Sequence, residues 1–529
     1  MFNNKLYVYG DQDVQVPAHL NFGKFILNHI LRMGDAVALE NAESGEKITY
    51  KELAEYAVKL SVGLTNLGVK KGDIVALGSE KRLLFVPTAL AIIFSGATYT
   101  PYDFKSGRAH LQHKMKITQP KYFICSELFW ETNREVLEGF ESVKTFISLD
   151  NSPKKVSVSS LTCDWAAVDV EQFEPTAVEG QVDTAFVLYS SGTTGMPKGV
   201  KLSHLNCILN SLSHDFKDSS LKTAYVTGDW FHNYDSFMTY KMLGLGVKII
   251  YTTEVTPEIV AKALEKHQVN IAFLVPSVVS WLSKIDEADH YNLDSLKVVY
   301  CRSSPLHVKT MAKLKQRFPS IKHVLQGYGM TEAGELTSEN WGAKGPRPGS
   351  VGAPSPGITL KVEHPETRQI LGPNEHGEIS LRGPVFMAGY IDVDPSTYLD
   401  DQGFFRTGDL GYYDEDGYFY VIDRLKEMII HDGYKVAPLE LETILLLHPG
   451  VREAGVVGKP DPEFTELPTA FVVRQPGSSV TEQELIDFVA DEVSPHMQLK
   501  GGIKFIKELP RNPRGKILRR CLREMLNEI

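Results

Sequence analysis

The sequence predicts an α/β fold: a large N-terminal body of mixed and parallel sheets with helices and a β-rich subdomain, followed by a small, mobile α+β C-terminal domain. Short runs rich in β-branched and aromatic residues alternate with helical stretches up to residue 300, which favours parallel or mixed sheets. Segment 342–357 is rich in Gly and Pro, and the sequence beyond it alternates in the manner of antiparallel strands. From residue 426 a shorter set of helices and strands begins. We therefore place the body at residues 1–423 and the C-terminal domain at residues 424–529.

The individual elements can be predicted in chain order. From Ile48 the sequence gives a strand, a helix with apolar residues three to four apart, a stop at Gly68 and a second strand. The apolar run 83–97 contains Pro87 and Gly96 and is too short to span a membrane, so we expect a buried helix and a turn. Further strands are expected at 185–189, 223–226, 247–251, 271–275, 297–300, 451–459 and 470–473, and C-terminal helices at 438–447 and 481–493.

The composition argues against several classes of protein. With 43% hydrophobic and 23% charged residues, the chain is typical of folded globular proteins. Its formal charge of −10 argues against general nucleic-acid binding, because a phosphate backbone would repel it. Five scattered cysteines without C-x-x-C spacing favour reduced thiols rather than disulfides or zinc ligation. The start has no apolar signal region and the end is not Ser-Lys-Leu, so we expect a cytoplasmic protein without a membrane span; the sequence carries no signal of oligomeric state.

A polar loop directly after the β-rich run AFVLY is the strongest functional signal. Its chemistry-bearing residues are Ser190, Ser191, Gly192, Thr193, Thr194, Gly195 and Lys198. The glycines allow close backbone approach, the hydroxyls can donate to phosphate oxygens, and the lysine adds a positive charge. The spacing is not that of a Walker A loop. A Ser/Thr/Gly-rich surface turn is the alternative, but this pattern after a strand favours a phosphate-binding loop.

This loop resembles the AMP-binding signature of the ANL superfamily of adenylate-forming enzymes, which includes acyl-CoA synthetases, adenylation domains and beetle luciferases. Further motifs follow in the family's order at 326–332, 406–409, 423–426 and 511–517. The resemblance implies that Tyr328, between Gly327 and Gly329, stacks on the adenine. Thr331 would bond the α-phosphate, and Glu332 would hold Mg²⁺. An aromatic face suits a purine, and a carboxylate oxygen suits magnesium.

The remaining motifs complete the implied nucleotide site. By the same resemblance, Asp409 accepts hydrogen bonds from the ribose hydroxyls, and Arg424 shares that sugar. Lys426 corresponds to the hinge of the mobile C-terminal domain. Lys516 corresponds to the lysine that bridges carboxylate and α-phosphate oxygens during adenylation, where a cation offsets the growing negative charge. The residues that we assign to catalysis are Lys516, Lys198, Thr331 and His232.

Two segments of the expected substrate pocket depart from the family pattern. The chain has Phe-His-Asn-Tyr-Asp-Ser at 231–236, where relatives have a string such as His-His-Gly-Phe-Gly, and Arg-Ser-Ser-Pro at 302–305, where they have Gly-Gly-Ala-Pro. The pocket residues that we predict are His232, Asn233, Asp235, Arg302, Ser303 and Ser304. A guanidinium at position 302 in the pocket would select an acid with a second anionic or polar group; the alternative is an ion pair outside the pocket.

The resemblance covers nearly the whole chain and is closest to the branch of 4-coumarate-CoA ligases, insect acyl-CoA synthetases and luciferases. It implies conversion of a small carboxylic acid to acyl-AMP with ATP and Mg²⁺, release of pyrophosphate, and transfer of the acyl group to coenzyme A. Ile430, His431 and Asp432 stand where this branch has lysines that serve the thiol step. The alternatives are a luciferase-like monooxygenase that uses molecular oxygen, transfer to a carrier-protein thiol, and a non-catalytic nucleotide binder. The last is disfavoured by the joint presence of Lys198, Glu332, Asp409, Arg424 and Lys516.

Overall fold

Four β-sheets organise the part of the chain that the computed structural model describes, namely residues 6–12, 14–104, 106–150, 156–163, 168–190, 196–212, 220–301, 306–339, 345–511 and 516–527. Two sheets are large, with eight and nine strands, and two have five strands each. The predicted α/β class is confirmed. The strands expected between 185 and 300 do not form one sheet, because the first of them joins the eight-stranded sheet and the others join the nine-stranded sheet.

The eight-stranded sheet is parallel in its centre and antiparallel at one edge. In spatial order its strands are Gly389–Tyr390, Lys198–Ser203, Thr184–Ser190, Thr98–Tyr102, Ile74–Gly78, Tyr122–Cys125, Thr145–Ser148 and Val156–Ser157. Strand Thr184–Ser190 pairs in parallel with Thr98–Tyr102 and antiparallel with Lys198–Ser203. The pairing direction therefore changes at the strand that ends in Ser190.

The nine-stranded sheet is parallel over six strands and antiparallel at both edges. In spatial order its strands are Ala353–Pro354, Gly334–Ser338, His323–Met330, Val298–Cys301, Ile271–Leu274, Thr223–Val226, Lys248–Tyr251, Val37–Asn41 and Lys47–Thr49. Strand His323–Met330 pairs in parallel through Gln326 and then antiparallel with Gly334–Ser338. The motif that begins at Gln326 thus lies at the carboxyl edge of the parallel strands, where ligands of α/β sheets bind.

Helices cover both large sheets and begin and end where local chemistry favours it. The body helices are Phe22–Ile30, Tyr50–Leu67, Phe85–Phe94, Arg108–Thr118, Glu127–Leu137, Val158–Cys163, His204–Ser211, Asn233–Gly244, Pro257–Lys266, Pro276–Lys284 and Val308–Arg317. Thr49 and Glu52 form a capping box, and Gly68 ends that helix with φ at 105°. Every residue of Phe85–Phe94 is buried, which confirms the predicted buried helix. No helix of the described chain is long and apolar enough to cross a membrane.

The principal core packs helix Asn233–Gly244 against both large sheets. Phe237 on this helix lies 5.3 Å from Phe186 of the eight-stranded sheet, measured between ring centroids. Tyr234 on the same helix lies 6.3 Å from Phe273 of the nine-stranded sheet. Aromatic contacts at these distances add to the free energy of burial. The helix is therefore fixed between the two sheets, with its first residue near their carboxyl edges.

The fourth sheet belongs to the C-terminal segment, after an antiparallel sheet that completes the body. The body sheet contains Val8–Tyr9, Thr359–Glu363, Gly377–Arg382, Phe405–Tyr413 and Phe419–Arg424. The C-terminal sheet contains Tyr434–Val436, Ile429–His431, Thr465–Arg474, Val451–Asp461 and Ile503–Phe505, with helices Pro438–Leu445, Glu482–Ala490 and Arg519–Asn527. Its two hydrophobic clusters contain only residues from 429 onwards. The domain boundary after residue 423 stays a prediction.

Polar contacts between described residues join the C-terminal segment to the body. Lys284 donates to the carbonyl of Leu446, at the end of helix Pro438–Leu445, where the helix dipole favours a cation. Lys309 forms an exposed ion pair with Glu492 at 3.2 Å. Asp423 Oδ2 accepts a hydrogen bond from the Leu439 N–H at 2.9 Å and so caps the same helix.

The C-terminal core contains a buried ion pair that can be tested. Arg519 Nη2 lies 2.9 Å from both carboxylate oxygens of Glu442, and the Val456 N–H donates to Glu442 at 2.8 Å. Burial raises the pKa of Glu442 from 4.5 to about 7, although Arg519 opposes this shift. Because the folded state favours the protonated form, the contribution of this carboxyl to stability falls as the pH rises from 4.5 through 7.

We expect Arg519→Met to lower the free energy of unfolding of the C-terminal segment by about 3–5 kcal/mol at pH 8, because it leaves a buried carboxylate unpaired. At pH 6 the loss should be smaller, because Glu442 can take up a proton. Chemical denaturation at both pH values measures this difference. Arg520→Met is the matched control: Arg520 is 83% exposed and pairs with Glu524 on the surface. Equal losses in the two variants would contradict the prediction.

Candidate active site

The predicted phosphate loop joins two antiparallel strands at the edge of the eight-stranded sheet. Ser190 ends the first strand and lies opposite Lys198, which begins the second. The carbonyl of Pro197 accepts a hydrogen bond from His113 Nε2 at 2.9 Å, which holds the end of the loop to helix Arg108–Thr118. The predicted loop residues Ser191, Gly192, Thr193, Thr194 and Gly195 lie outside the described residues.

Tyr390 connects this loop to the motif at 326–332. The Lys198 ammonium lies 5.0 Å from the centroid of the Tyr390 ring, and the Ser190 hydroxyl hydrogen-bonds the Tyr390 hydroxyl. The Tyr390 hydroxyl donates to Glu332 Oε1 at 2.7 Å. The Glu332 side chain is buried, and burial together with the Glu332 charge raises the pKa of Tyr390. A cation, two hydroxyls and a carboxylate from three distant segments therefore meet.

A second cluster brings together Tyr328, Asp409 and Arg424. The Tyr328 hydroxyl donates to Asp409 Oδ2 at 2.5 Å. Asp409 lies opposite Arg424 in an antiparallel pair, and the Arg424 Nε lies 3.3 Å from Asp409 Oδ1. Burial raises the pKa of Asp409, although the charges of Arg424 and Lys516 oppose this. A buried carboxylate fixed by two donors is suited to accept hydrogen bonds from a diol.

Lys516 is within electrostatic range of this cluster, because its charge acts on the pKa of Asp409. Its side chain is exposed, as is that of Lys426 in the short turn Leu425–Glu427. Glu427 in the same turn pairs with Arg523 of the last helix at 2.8 Å. The orientation of the C-terminal segment thus brings its predicted catalytic lysine to the side of the site that carries Asp409.

The predicted pocket segment 231–236 begins helix Asn233–Gly244. His232 is the N-cap residue, and its ring packs against Phe231 at 4.4 Å between centroids. Asn233 Nδ2 donates to the carbonyl of Thr331 at 2.7 Å, which places the helix start beside the motif at 326–332. Arg302, Ser303 and Ser304 lie outside the described residues, so their pocket role stays a prediction.

Comparison with known proteins decides the family. Residues 28–391 match the AMP-binding enzyme family, and residues 440–516 match the AMP-binding enzyme C-terminal domain. The chain belongs to the adenylate-forming AMP-binding enzymes. It is 33% identical over 546 residues to a luciferin 4-monooxygenase of Photuris pensylvanica, covering 99% of each chain. It is 34% identical over 504 residues to the peroxisomal OPC-8:0-CoA ligase 1 of Arabidopsis thaliana, covering 92% of this chain and 90% of the relative.

A solved structure agrees with this assignment. The ATP-bound MatB from Rhodopseudomonas palustris superposes with a TM-score of 0.82 at 27% identity, covering 94% of this chain and 98% of that one. The resemblance to adenylate-forming enzymes inferred from the motifs is therefore confirmed. The comparisons do not test the roles of individual residues, which stay predictions.

The donor set of this adenylate-forming enzyme fits magnesium held jointly with a nucleotide. No group of three or more His, Cys, Asp or Glu side chains able to hold a metal ion occurs among the described residues. Glu332 provides one buried carboxylate, oriented by Tyr390. Mg²⁺ in enzymes that bind nucleotides is usually held by one or two carboxylates together with phosphates and water. Glu332 would thus hold the ion only together with the phosphates, whose charge the ion would neutralise.

Sequence reasoning missed two residues of this adenylate-forming enzyme. Tyr390 lies in a two-residue strand 200 positions after Ser190, and its pairing with Val200 brings it to the loop. Lys81 follows strand Ile74–Gly78 and is buried beside the pocket segment. Lys81 lies in the polar run 79–82 between strand Ile74–Gly78 and the buried helix Phe85–Phe94, so nothing in the local sequence distinguished it from an exposed lysine.

We expect Tyr390→Phe to reduce kcat/KM for acyl-AMP formation by about 10- to 100-fold, because Glu332 loses the donor that orients it. Tyr390→Phe retains the ring under Lys198, whereas Tyr390→Leu removes it, so the leucine variant should lose more activity. Pyrophosphate exchange into ATP, measured against Mg²⁺ concentration, detects the weakened use of the metal. Tyr291→Phe, at a ring that packs on Trp281 elsewhere in the body, is the matched control. Activity of Tyr390→Phe equal to that control would refute the role of the hydroxyl.

Proposed function

We propose that this enzyme converts a small carboxylic acid and ATP to acyl-AMP and pyrophosphate, and then transfers the acyl group to coenzyme A. The observation that carries the proposal is the meeting of distant charged segments at one site. Tyr390 joins Lys198 to Glu332, and Lys516 acts electrostatically on Asp409. In the first step an oxygen of the substrate carboxylate attacks the α-phosphorus, and the bond to the oxygen between the α- and β-phosphates breaks.

The first step needs positioning and charge neutralisation, since the carboxylate is itself the nucleophile. We propose that Asp409 and Arg424 hold the ribose and that Tyr328 contacts the adenine. Thr331 and the loop 190–198 would bind phosphate oxygens, with Lys198 neutralising the departing pyrophosphate. Lys516 would bridge the carboxylate and the α-phosphate, and His232 would lie beside the reacting carboxylate.

The second step transfers the acyl group to a thiol. The thiol sulfur attacks the acyl carbonyl, the bond to AMP breaks, and the thiol proton passes to solvent. We propose that the small domain rotates about Lys426 between the two steps. In the hairpin at 429–436, His431 is buried and hydrogen-bonded to the Glu466 carbonyl at 2.7 Å, so it is not available to bind coenzyme A. Lys435 in the same hairpin is exposed, and this cation supports a role for coenzyme A. Lys435 supplies a cation in the loop where the expected lysines are replaced.

A luciferase-like monooxygenase is the second candidate, favoured by the 33% identity to a luciferin 4-monooxygenase. It would form the same acyl-AMP and then oxidise it with molecular oxygen. The segment 231–236, which departs from the string typical of relatives, speaks against a beetle-luciferin pocket but not against a different luciferin. The cytoplasm is the compartment that we propose, with no nucleic-acid partner.

We expect ATP, Mg²⁺, coenzyme A and a suitable acid to give AMP and an acyl-CoA thioester. Products from a panel of fatty, hydroxycinnamic, hydroxylated and dicarboxylic acids, with and without coenzyme A, would be identified by mass spectrometry. AMP and thioester together support the proposal. Acyl-AMP that persists in the presence of coenzyme A would contradict the thiol step, and light emission with a luciferin would favour the second candidate.

Lys516→Met should reduce acyl-AMP formation by at least about 100-fold, because the charge that develops on the phosphate loses its cation. Thioester formation from acyl-AMP supplied in advance should be affected by less than about 10-fold, since that step does not need this charge. Lys504→Met, in the same domain, is the matched control and should retain both steps. Equal loss of both steps in Lys516→Met would indicate a structural role instead.

A further inference from the structure

The first turn of helix Asn233–Gly244 holds a carboxylate that the adenylation step does not use. Asp235 Oδ1 accepts a hydrogen bond from the Gly228 N–H at 3.1 Å. A Cβ at Gly228 would lie 2.2 Å from this carboxyl, so the absence of a side chain permits the approach. Gly228 follows strand Thr223–Val226 at the carboxyl edge of the nine-stranded sheet. The carboxylate is therefore fixed at the edge where the substrate must enter.

A buried cation from the other large sheet faces the same place. Lys81 follows strand Ile74–Gly78, and its side chain is buried. Its ammonium donates to the carbonyls of Val226 at 3.0 Å and Thr227 at 3.3 Å. The charge of Lys81 acts on Asp235. A lysine is rarely buried without such partners, because removing the ammonium from water is costly.

The first turn of this helix is less completely buried than the rest of the helix. Tyr234 and Asp235 keep part of their surface accessible, whereas residues 236–243 are buried. The start of the helix lies beside Thr331, through the bond from Asn233 to its carbonyl. Because the substrate carboxylate must reach the α-phosphorus, which we expect near Thr331, the rest of the acid extends along this turn.

A second acceptor lies at the same turn. The Asn233 side chain is 7% exposed, and its Oδ1 is buried and accepts no hydrogen bond from the residues described. Asn233 Nδ2 already donates to the Thr331 carbonyl, so the side-chain atom that has no partner among the described residues is the acceptor Oδ1. A buried acceptor without a donor costs free energy, which a donor on a ligand would recover. Two acceptors, a carboxylate and an amide oxygen, thus stand where the acyl part of the substrate lies.

We propose that Asp235, held in place by Gly228 and within range of the charge of Lys81, is a specificity-determining residue that binds a hydroxyl or amino group on the acyl part of the substrate. This inference rests on the proposed function and names its substrate class. A purely hydrocarbon acid would offer neither acceptor a hydrogen bond, and an acid with a second carboxylate would be repelled by Asp235 and Asp229. Asp235 thus predicts a substrate with a hydrogen-bond donor, whereas Arg302 in the pocket would predict a substrate with a second anionic or polar group.

The test compares matched acids that differ by one hydroxyl: cinnamic against para-hydroxycinnamic acid, and octanoic acid against its terminal hydroxy derivative. With acyl-AMP formation as the readout, the wild-type enzyme should prefer the hydroxylated member of at least one pair by about 100-fold in kcat/KM. Asp235→Leu should abolish this preference, with a larger loss of kcat/KM on the hydroxylated acid than on the parent acid. Asp235→Asn keeps an acceptor for the Gly228 N–H and should give an intermediate preference.

The outcomes separate this inference from the proposed function. Acyl-AMP formation without a preference for hydroxylated acids, or equal losses for both members of a pair in Asp235→Leu, would overturn the inference and leave the proposed function standing. Failure to form acyl-AMP from any acid would overturn both. The unfolding temperature of each variant shows whether a loss reflects folding, and Asp235→Asn keeps the test valid if the leucine variant is unstable.

A pH profile supplies an independent readout. Burial raises the pKa of Asp235 to about 7, and Asp229 adds to this rise, whereas the charge of Lys81 opposes it. The preference for the hydroxylated acid should therefore increase as the pH rises through about 7 and the carboxylate forms. Lys81→Met should move that increase to higher pH, and Lys81→Arg, which keeps the charge, should not. A profile that is identical in all three proteins would count against the pairing of Lys81 with Asp235.

Discussion

The hydrogen bond from the Tyr390 hydroxyl to Glu332 joins the two halves of the proposed nucleotide site. Glu332 lies between two strands of the nine-stranded sheet, and Lys198 begins a strand of the eight-stranded sheet. Their relative position therefore depends on a residue that contacts both. Tyr390 is suited to this because its ring meets the cation and its hydroxyl meets the carboxylate. The polar groups are thereby oriented before any ligand arrives, and preorganised charge is the largest single contribution to many enzymatic reactions.

Buried carboxylates recur at the places where this enzyme needs definite geometry. Asp409 is fixed by Tyr328 and Arg424, and Asp235 is fixed by Gly228 and lies within range of the charge of Lys81. In each case burial raises the pKa while a neighbouring cation opposes the shift. A carboxylate in such surroundings is costly to bury and is therefore stabilised by a ligand that donates to it. The same physical arrangement can thus serve the ribose at one position and the acyl group at another.

The sequence predicted the α/β class and, through its motifs, the adenylate-forming family, because these depend on local patterns of apolar, Gly and hydroxyl residues. It did not predict how strands divide between sheets, since the run at 185–189 looks the same in either sheet. Tyr390 and Lys81 were missed for a related reason: each acts through partners distant in sequence, 58 positions away for the bond from Tyr390 to Glu332 and 145 for the bond from Lys81 to Val226. Long-range pairing of this kind is decided by tertiary packing, and single-sequence patterns do not report it.

Lys284 gives the contact between the C-terminal segment and the body an unexpected proton dependence. Burial lowers its pKa from 10.5 to about 8, and the nearby Leu446 and His448 belong to the segment that we propose rotates. At neutral pH Lys284 is protonated whether or not the C-terminal segment covers it. Burial of this charge therefore costs free energy in the described orientation of the segment. In an orientation that exposes Lys284 to water, the lysine would lose its proton only near its ordinary pKa of 10.5. Alkalinity from about 8 upwards therefore shifts the balance towards the arrangement in which Lys516 faces Asp409.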